Sequence, residues 1–478
     1  MRYLSTRGGM APIDFADALV EGLAPDGGLV VPEEIPVFTG DELAGIAGAA
    51  YPEVAAVVLN RFVGHGVVGL DPAAIAEVAG AAYGPDRFDH ADVVSLRPLD
   101  DGLVLCGLSH GPTLAFKDMA MQLVAGLLEL VLGARGERMT VLGATSGDTG
   151  SSAEHALAGS AAVEVFMLSP LGRVTPFQAA QMFTITEPNI HNLVVRGVFD
   201  QCQDLVKQVT GDTAFKARHR IGAVNSINWG RVAAQAAYYL YASLRVASPG
   251  GVVSFAVPTG NFGNVYAGYI ARRMGAPIHR LVVACNENDV LDEFLSTGRY
   301  RVRHPEEVVT TSSPSMDIAK ASNLERFVYD LTGGDTGLVT DLFTGGSGFD
   351  LSSQSGWDAM AGARMVSGSS RHADRLATIR TVWQRCGVMV DPHTADGITV
   401  GRRFVENGVP MICLETAQPA KFAATIVEAL GEAPPVPARW AGLLGLPQRY
   451  EVIDPTPQAV RDAISEASWT RSGGGRAG

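Results

Sequence analysis

The chain has 478 residues, 47% of them hydrophobic and 18% charged, a composition that suits two or three domains with large cores and lies far from disorder. Its 37 Lys and Arg against 50 Asp and Glu give a net charge of −13, which excludes a nucleic-acid or acidic-membrane binder as a whole but leaves room for a local basic pocket. Five scattered cysteines, with no Cys-x-x-Cys pair and no Cys/His cluster at ligand spacing, suit reduced thiols in cytosol and speak against both a disulfide framework and a metal site.

The first seven residues lack the apolar core of a signal peptide, and no apolar run is long and uncharged enough to span a bilayer. A soluble cytoplasmic chain is expected. In chain order, residues 14–23 read as a short amphipathic helix, 24–28 as a turn and 29–31 as a strand. Residues 41–50, 52–63 and 72–82 read as helices. From Val94 the character changes. Short apolar runs at 103–105, 139–143, 163–168, 252–257 and 281–284 alternate with helical periodicity at 117–132, 150–158 and 265–274. That alternation predicts parallel sheets covered by helices on both faces. Residues 288–295 and 314–331 read as helices, 332–355 as an exposed Gly/Ser/Thr-rich stretch, and 376–386 as a helix. A turn at 391–394 leads to a helix at 397–404 and a strand at 411–415, and the Gly-rich end from Ser472 reads as frayed. The expected organisation is a mostly helical N-terminal domain (1–95), a smaller α/β domain (96–245), a larger α/β domain (246–465) and a flexible tail (466–478).

The chemistry gathers in loops. Lys117 sits in His110-Gly111-Pro112-Thr113-Leu114-Ala115-Phe116-Lys117-Asp118, just before an apolar helix. Partial desolvation there favours the neutral amine, a nucleophile able to form a Schiff base; read alone, the residue is more simply a solvated lysine at a helix start. The loop Thr145, Ser146, Gly147, Asp148, Thr149, Gly150, Ser151, Ser152 follows a strand and opens a helix, and so does Gly260, Asn261, Phe262, Gly263, Asn264. Main-chain N–H groups at such helix starts attract anions. Neither loop is a Walker or Rossmann fingerprint, and each alone is also an ordinary cap and turn. Thr416 and Lys421 lie just past a strand end, where ligands of parallel sheets bind. The run Asn225, Ser226, Asn228, Arg231 reads as a polar cleft wall, with Arg231 able to hold a phosphate or carboxylate through two bonds. An amine, two anion cradles and a strand-end hydroxyl are the set a pyridoxal phosphate enzyme needs.

Over residues 1 to about 440 the sequence resembles threonine synthase of the long bacterial and fungal type. The matching motifs are Tyr3 to Gly8, Ala24 to Leu29, His110 to Asp118, Ala144 to Gly150, Asn225 to Trp229, Gly260 to Gly263 and Thr416 to Phe422. The resemblance implies a tryptophan-synthase-β-like (fold-type II) pyridoxal 5'-phosphate enzyme, with two parallel-sheet α/β domains and an N-terminal helical addition. It implies a lyase-type reaction turning O-phospho-L-homoserine and water into L-threonine and phosphate. Lys117 is then the Schiff-base and proton-transferring lysine. Gly260, Asn261, Phe262, Gly263 and Asn264 hold the cofactor phosphate, and Thr416 faces the ring nitrogen. Thr145, Ser146, Gly147, Asp148, Thr149, Ser152, Asn225, Ser226, Asn228, Arg231 and Lys421 are the expected substrate contacts. The expected partner is the small-molecule substrate, without nucleic acid or membrane, for a monomer or homodimer. Gln418 stands where the family commonly has His and Gly230 where it has Ala. The alternative on the same motifs is a phospho-lyase giving 2-oxobutyrate, phosphate and ammonia.

Overall fold

Two parallel sheets organise the molecule. In a computed structural model that describes residues 1–353, 357 and 363–467, the larger sheet has six strands in the order Met365–Ser369, Ile278–Cys285, Val253–Pro258, Met411–Glu415, Leu103–Gly107 and Ser95–Pro98. All neighbours run parallel except the last pair. The smaller sheet has five parallel strands, ordered Glu451–Ile453, Ile190–Val195, Val163–Pro170, Met139–Ala144 and Ile221–Gly222. Central strands such as Val163–Pro170 and Met411–Glu415 are buried along their whole length, because parallel sheets carry helices on both faces and their strands become continuous apolar runs. Among the described residues no helix is long and apolar enough to cross a membrane.

Helix Pro392–Gly401 packs on one face of the six-stranded sheet, backed by His372–Cys386 and Ala423–Leu430. On the other face the core is shared by Asp118–Arg135, Trp229–Val246 and Gly263–Arg273. Helix Tyr51–Val63 of the N-terminal unit lies against Trp229–Val246, which joins that unit to the main core. A small antiparallel pair, Tyr3–Ser5 with Val30–Pro32, completes the N-terminal unit.

Sheet membership crosses the expected domain boundaries. Ser95–Pro98 and Leu103–Gly107 fall within the 96–245 grouping or at its edge, yet they extend the six-stranded sheet beside Met411–Glu415. Glu451–Ile453 and helix Pro457–Ala467 fall within or across the end of 246–465, yet they join the five-stranded side. Parallel pairing needs no sequence proximity, so chain order is a poor guide to it.

Three element expectations are corrected. Residues 314–331 form a 3₁₀ turn, Pro314–Met316, and a separate helix, Leu324–Leu331. The chain between them is diverted: the Asp317 carboxylate accepts the Thr311 N–H (2.9 Å) and Asn286 Nδ2 (2.8 Å), and Asn323 N–H bonds the Asn261 carbonyl (3.1 Å). The stretch expected to be exposed holds helix Thr336–Thr344, capped by Asp335, and strand Gly348–Asp350; residues 354–355 lie outside the described residues. The helix expected at 397–404 starts at Pro392, because Asp391 caps it through the His393 and Thr394 N–H groups. Of the expected tail, residues 466–467 end a helix, and 468–478 lie outside the described residues.

Candidate active site

Every loop singled out for its chemistry leaves the carboxyl end of a strand, where the parallel-sheet rule puts ligands. The cleft there has a volume of about 690 Å³, part of it open to solvent. Its walls include Lys117, Asp148, Thr149, Ser226, Arg231, residues 260–264 and Thr416.

Lys117 occupies the N-cap position of helix Asp118–Arg135. The turn before it is fixed by Asp118, whose carboxylate accepts Thr113 N–H and Oγ1 and Ser152 Oγ, all at 2.7–2.8 Å. The Lys117 side chain is 13% exposed, with Nζ 3.1 Å from Asp148 Oδ2. Burial lowers its pKa and the Asp148 charge opposes that; burial prevails, so the amine gives up its proton more readily than a solvated lysine. At Asp148 the balance is reversed. Burial favours the acid form, but Lys117, Lys421 and the Gln178 amide outweigh it and hold the carboxyl well below its usual range.

The loop after Val253–Pro258 turns on Phe262, which adopts a left-handed φ of +64° at the N-cap of helix Gly263–Arg273. The first-turn N–H groups of a helix have no intrahelical partner, and the first residues of this one, Gly263 and Asn264, line the cleft. Asn264 Oδ1 accepts Tyr238 and Tyr239 hydroxyls (2.5 and 2.8 Å), and its buried Nδ2 has no partner among the described residues. Thr416 Oγ1 is also buried and unpartnered. Across the cleft, Arg231 is 3% exposed, its Nε and Nη1 lack partners among the described residues, and burial pulls its pKa down to about 10.

Several expected substrate contacts do not line the cleft. Thr145 Oγ1 caps the Gly147 and Gly150 N–H groups, and Ser152 is taken by Asp118. Ser146 and Asn225 are exposed and are not among the residues lining the cleft. Asn228 caps helix Trp229–Val246 and gives its Nδ2 to the Leu19 and Ala223 carbonyls. Lys421 is fully buried, bonded to Asp148 Oδ1 (2.8 Å) and the Thr113 carbonyl (2.7 Å). Thr145, Ser152, Asn228 and Lys421 are thus polar side chains recruited to satisfy main-chain or carboxylate groups. Sequence reasoning missed Gln235, Ser315 and His393 in the wall. His393 accepts Ser315 N–H at Nε2 (3.1 Å) and meets Asp391 at Nδ1 (2.8 Å); its signal was the Asp-Pro-His-Thr cap. Gln418 gives its amide to Ser109, which in turn donates to Glu415.

The family model described as "Threonine synthase N terminus" matches residues 2–83, "Pyridoxal-phosphate dependent enzyme" matches 103–341, and "Threonine synthase, C-terminal" matches 394–464. A threonine synthase of Methylobacillus glycogenes is 51% identical, over 98% of this chain and 100% of its own length. One from Corynebacterium glutamicum is 48% identical, over 98% of each chain. The crystal structure of a PLP-bound threonine synthase from Brucella melitensis superposes with a TM-score of 0.92 at 40% identity, covering 98% of this chain and all of that one. With these matches along its whole length and a cleft that gathers the amine, the anion loops and the strand-end hydroxyl, the chain belongs to the threonine synthase family of pyridoxal-phosphate-dependent enzymes.

Proposed function

We propose that the chain is a threonine synthase, converting O-phospho-L-homoserine and water to L-threonine and phosphate with pyridoxal phosphate in the cleft. One observation carries the reading: a buried guanidinium with unpartnered N–H groups, Arg231, shares a cleft with the Lys117 amine. Such a group is costly unless an anion meets it.

The residues fit the cofactor. Asn264 Nδ2 and the first amides of helix Gly263–Arg273 would hold its phosphate, Thr416 Oγ1 its ring nitrogen, and Lys117 Nζ its aldehyde carbon. Bound there, pyridoxal phosphate supplies an aldehyde for the amine linkage and a ring that takes up electrons. In this reading Lys117 Nζ moves the protons at Cα and then Cβ of the substrate. Arg231 and Ser226 bind the substrate phosphate and stabilise it as it leaves Cγ; protons return to Cγ and Cα, and water adds at Cβ. The loop around Thr149 takes the amino-acid carboxylate at a helix start. The two sheets serve as two lobes clasping the cleft, in a cytosolic monomer or homodimer.

The test is product analysis. Holoprotein incubated with O-phospho-L-homoserine is expected to release threonine and phosphate in equal amounts. Phosphate accompanied by 2-oxobutyrate and ammonia would replace this reading with the phospho-lyase. Borohydride reduction followed by peptide mapping is expected to place the cofactor tag on Lys117.

A further inference from the structure

Asp148 is the one carboxylate among the described residues that line the cleft. Oδ1 accepts Gln178 Nε2 (2.7 Å) and Lys421 Nζ (2.8 Å); Oδ2 accepts Lys117 Nζ (3.1 Å) and Ser315 Oγ (3.1 Å). These donors arrive from four different segments: helix Pro176–Phe183, the 3₁₀ turn Pro419–Phe422, the Lys117 turn and the 3₁₀ turn Pro314–Met316. Gly147 makes the approach possible. Its φ is +138°, and a Cβ there would lie 2.5 Å from Gln178 Cδ. Lys421, its side chain fully buried, spends its other bond on the Thr113 carbonyl.

We infer that Asp148 is a positioning residue that governs the reactivity of the Lys117 amine, with Lys421 as the fixed counter-charge that holds the carboxylate in place. This rests on the reading of Lys117 as the cofactor lysine. The charged groups facing that amine are Asp148, Lys421 and Arg231. His393 is tied to Asp391 and Ser315, and the Asp118 carboxylate is taken up by Thr113 and Ser152. One anion therefore offsets two neighbouring cations, and its removal leaves the amine in a buried, positive site. Burial and like charge then both favour the neutral form.

The test uses the full-length chain freed of cofactor, trace-labelled with acetic anhydride across pH and read peptide by peptide by mass spectrometry. In Asp148→Asn the labelling midpoint of Lys117 is expected to fall by about one pH unit or more, which raises its labelling at neutral pH on the order of tenfold. Asp148→Glu is expected to return the midpoint toward the parent. Lys421→Met is expected to shift it the other way, upward, since a cation is lost and the carboxylate is freed. A Lys117 midpoint unchanged in folded Asp148→Asn overturns the inference. If that variant does not fold, an unchanged or lowered midpoint in Lys421→Met overturns it instead. Should the borohydride tag of the parent holoprotein fall on another lysine, the functional reading fails, while the labelling comparison still decides whether Asp148 controls Lys117.

Discussion

Arg231 is a side chain whose cost to the fold and use to the site pull in opposite directions. A buried guanidinium with two unpartnered nitrogens weakens the folded state, and an apolar residue of similar volume relieves it. Arg231→Met is expected to stabilise the cofactor-free chain by about 1–3 kcal/mol, seen as a higher Tm. It is also expected to lower kcat/KM on the order of a hundredfold, since truncating a buried charge partner costs roughly 2–5 kcal/mol. A lower Tm would mean that the guanidinium is a structural group. Two carboxyls give a second residue-scale expectation. Burial, opposed only by Asn192 or Ser109, pushes Glu154 and Glu415 up to about 8. The native chain keeps these protons longer than the unfolded one. The effect of these two groups on stability is therefore constant below about pH 4.5, grows more unfavourable as pH rises toward 8, and levels off above it, at on the order of 1 kcal/mol per pH unit per group. Glu154→Gln is expected to flatten the fall in Tm between pH 5 and 8. Sequence alone could nominate Arg231 but not separate it from Asn228 and Lys421. All three are polar residues near a predicted strand end or helix start, and the difference is that two are occupied by internal bonds.

At the scale of elements, the start of helix Trp229–Val246 shows how one amide joins two parts of the chain. Asn228 Oδ1 accepts Gly230 N–H (2.9 Å), and Nδ2 donates to the carbonyls of Leu19 and Ala223 (2.7 and 2.9 Å). Asn228→Ala removes the cap and leaves two carbonyls unpaired, so a loss of about 2–3 kcal/mol is expected in urea unfolding. Asn228→Asp keeps the cap acceptor but turns an oxygen toward those carbonyls. It is expected to recover little, which separates the inter-element tie from the cap itself. Elements with strong periodicity were legible: Pro72–Ala82 and Met411–Glu415 fall where the sequence places them. The break in 314–331 was not, because Asp317 and Asn323 act on partners at Asn286 and Asn261, contacts that no local window contains. Helix Thr336–Thr344 hid behind Gly and Thr residues, although Asp335 and the buried Val339 and Phe343 mark its cap and inner face.

At the scale of the molecule, the N-terminal segment is bonded to the cleft through one short helix. Glu325 accepts Thr6 Oγ1 (2.6 Å) and two Arg7 nitrogens (3.0 and 2.8 Å). Its neighbour Arg326, fully buried, donates to the carbonyls of Val30 and Ile227. Asn323, one residue before the helix, donates through Nδ2 to the Ser226 and Asn261 carbonyls (3.2 and 3.1 Å). Thr6 and Arg7 thus reach the loop proposed to hold the cofactor phosphate through two sets of hydrogen bonds joined by the backbone of that helix. Glu325→Gln keeps the shape of the node but removes the charge that binds Arg7. A charge-assisted, partly buried pair contributes about 1–3 kcal/mol, and part of that is expected to reach Asn261. The expected outcome is a several-fold weaker affinity for pyridoxal phosphate in fluorescence titration, with kcat little changed at saturating cofactor because Lys117 and Arg231 are untouched. A fall in kcat with unaltered affinity would show that the N-terminal segment acts on the reacting groups and not on the phosphate loop. No change in either would confine it to stability.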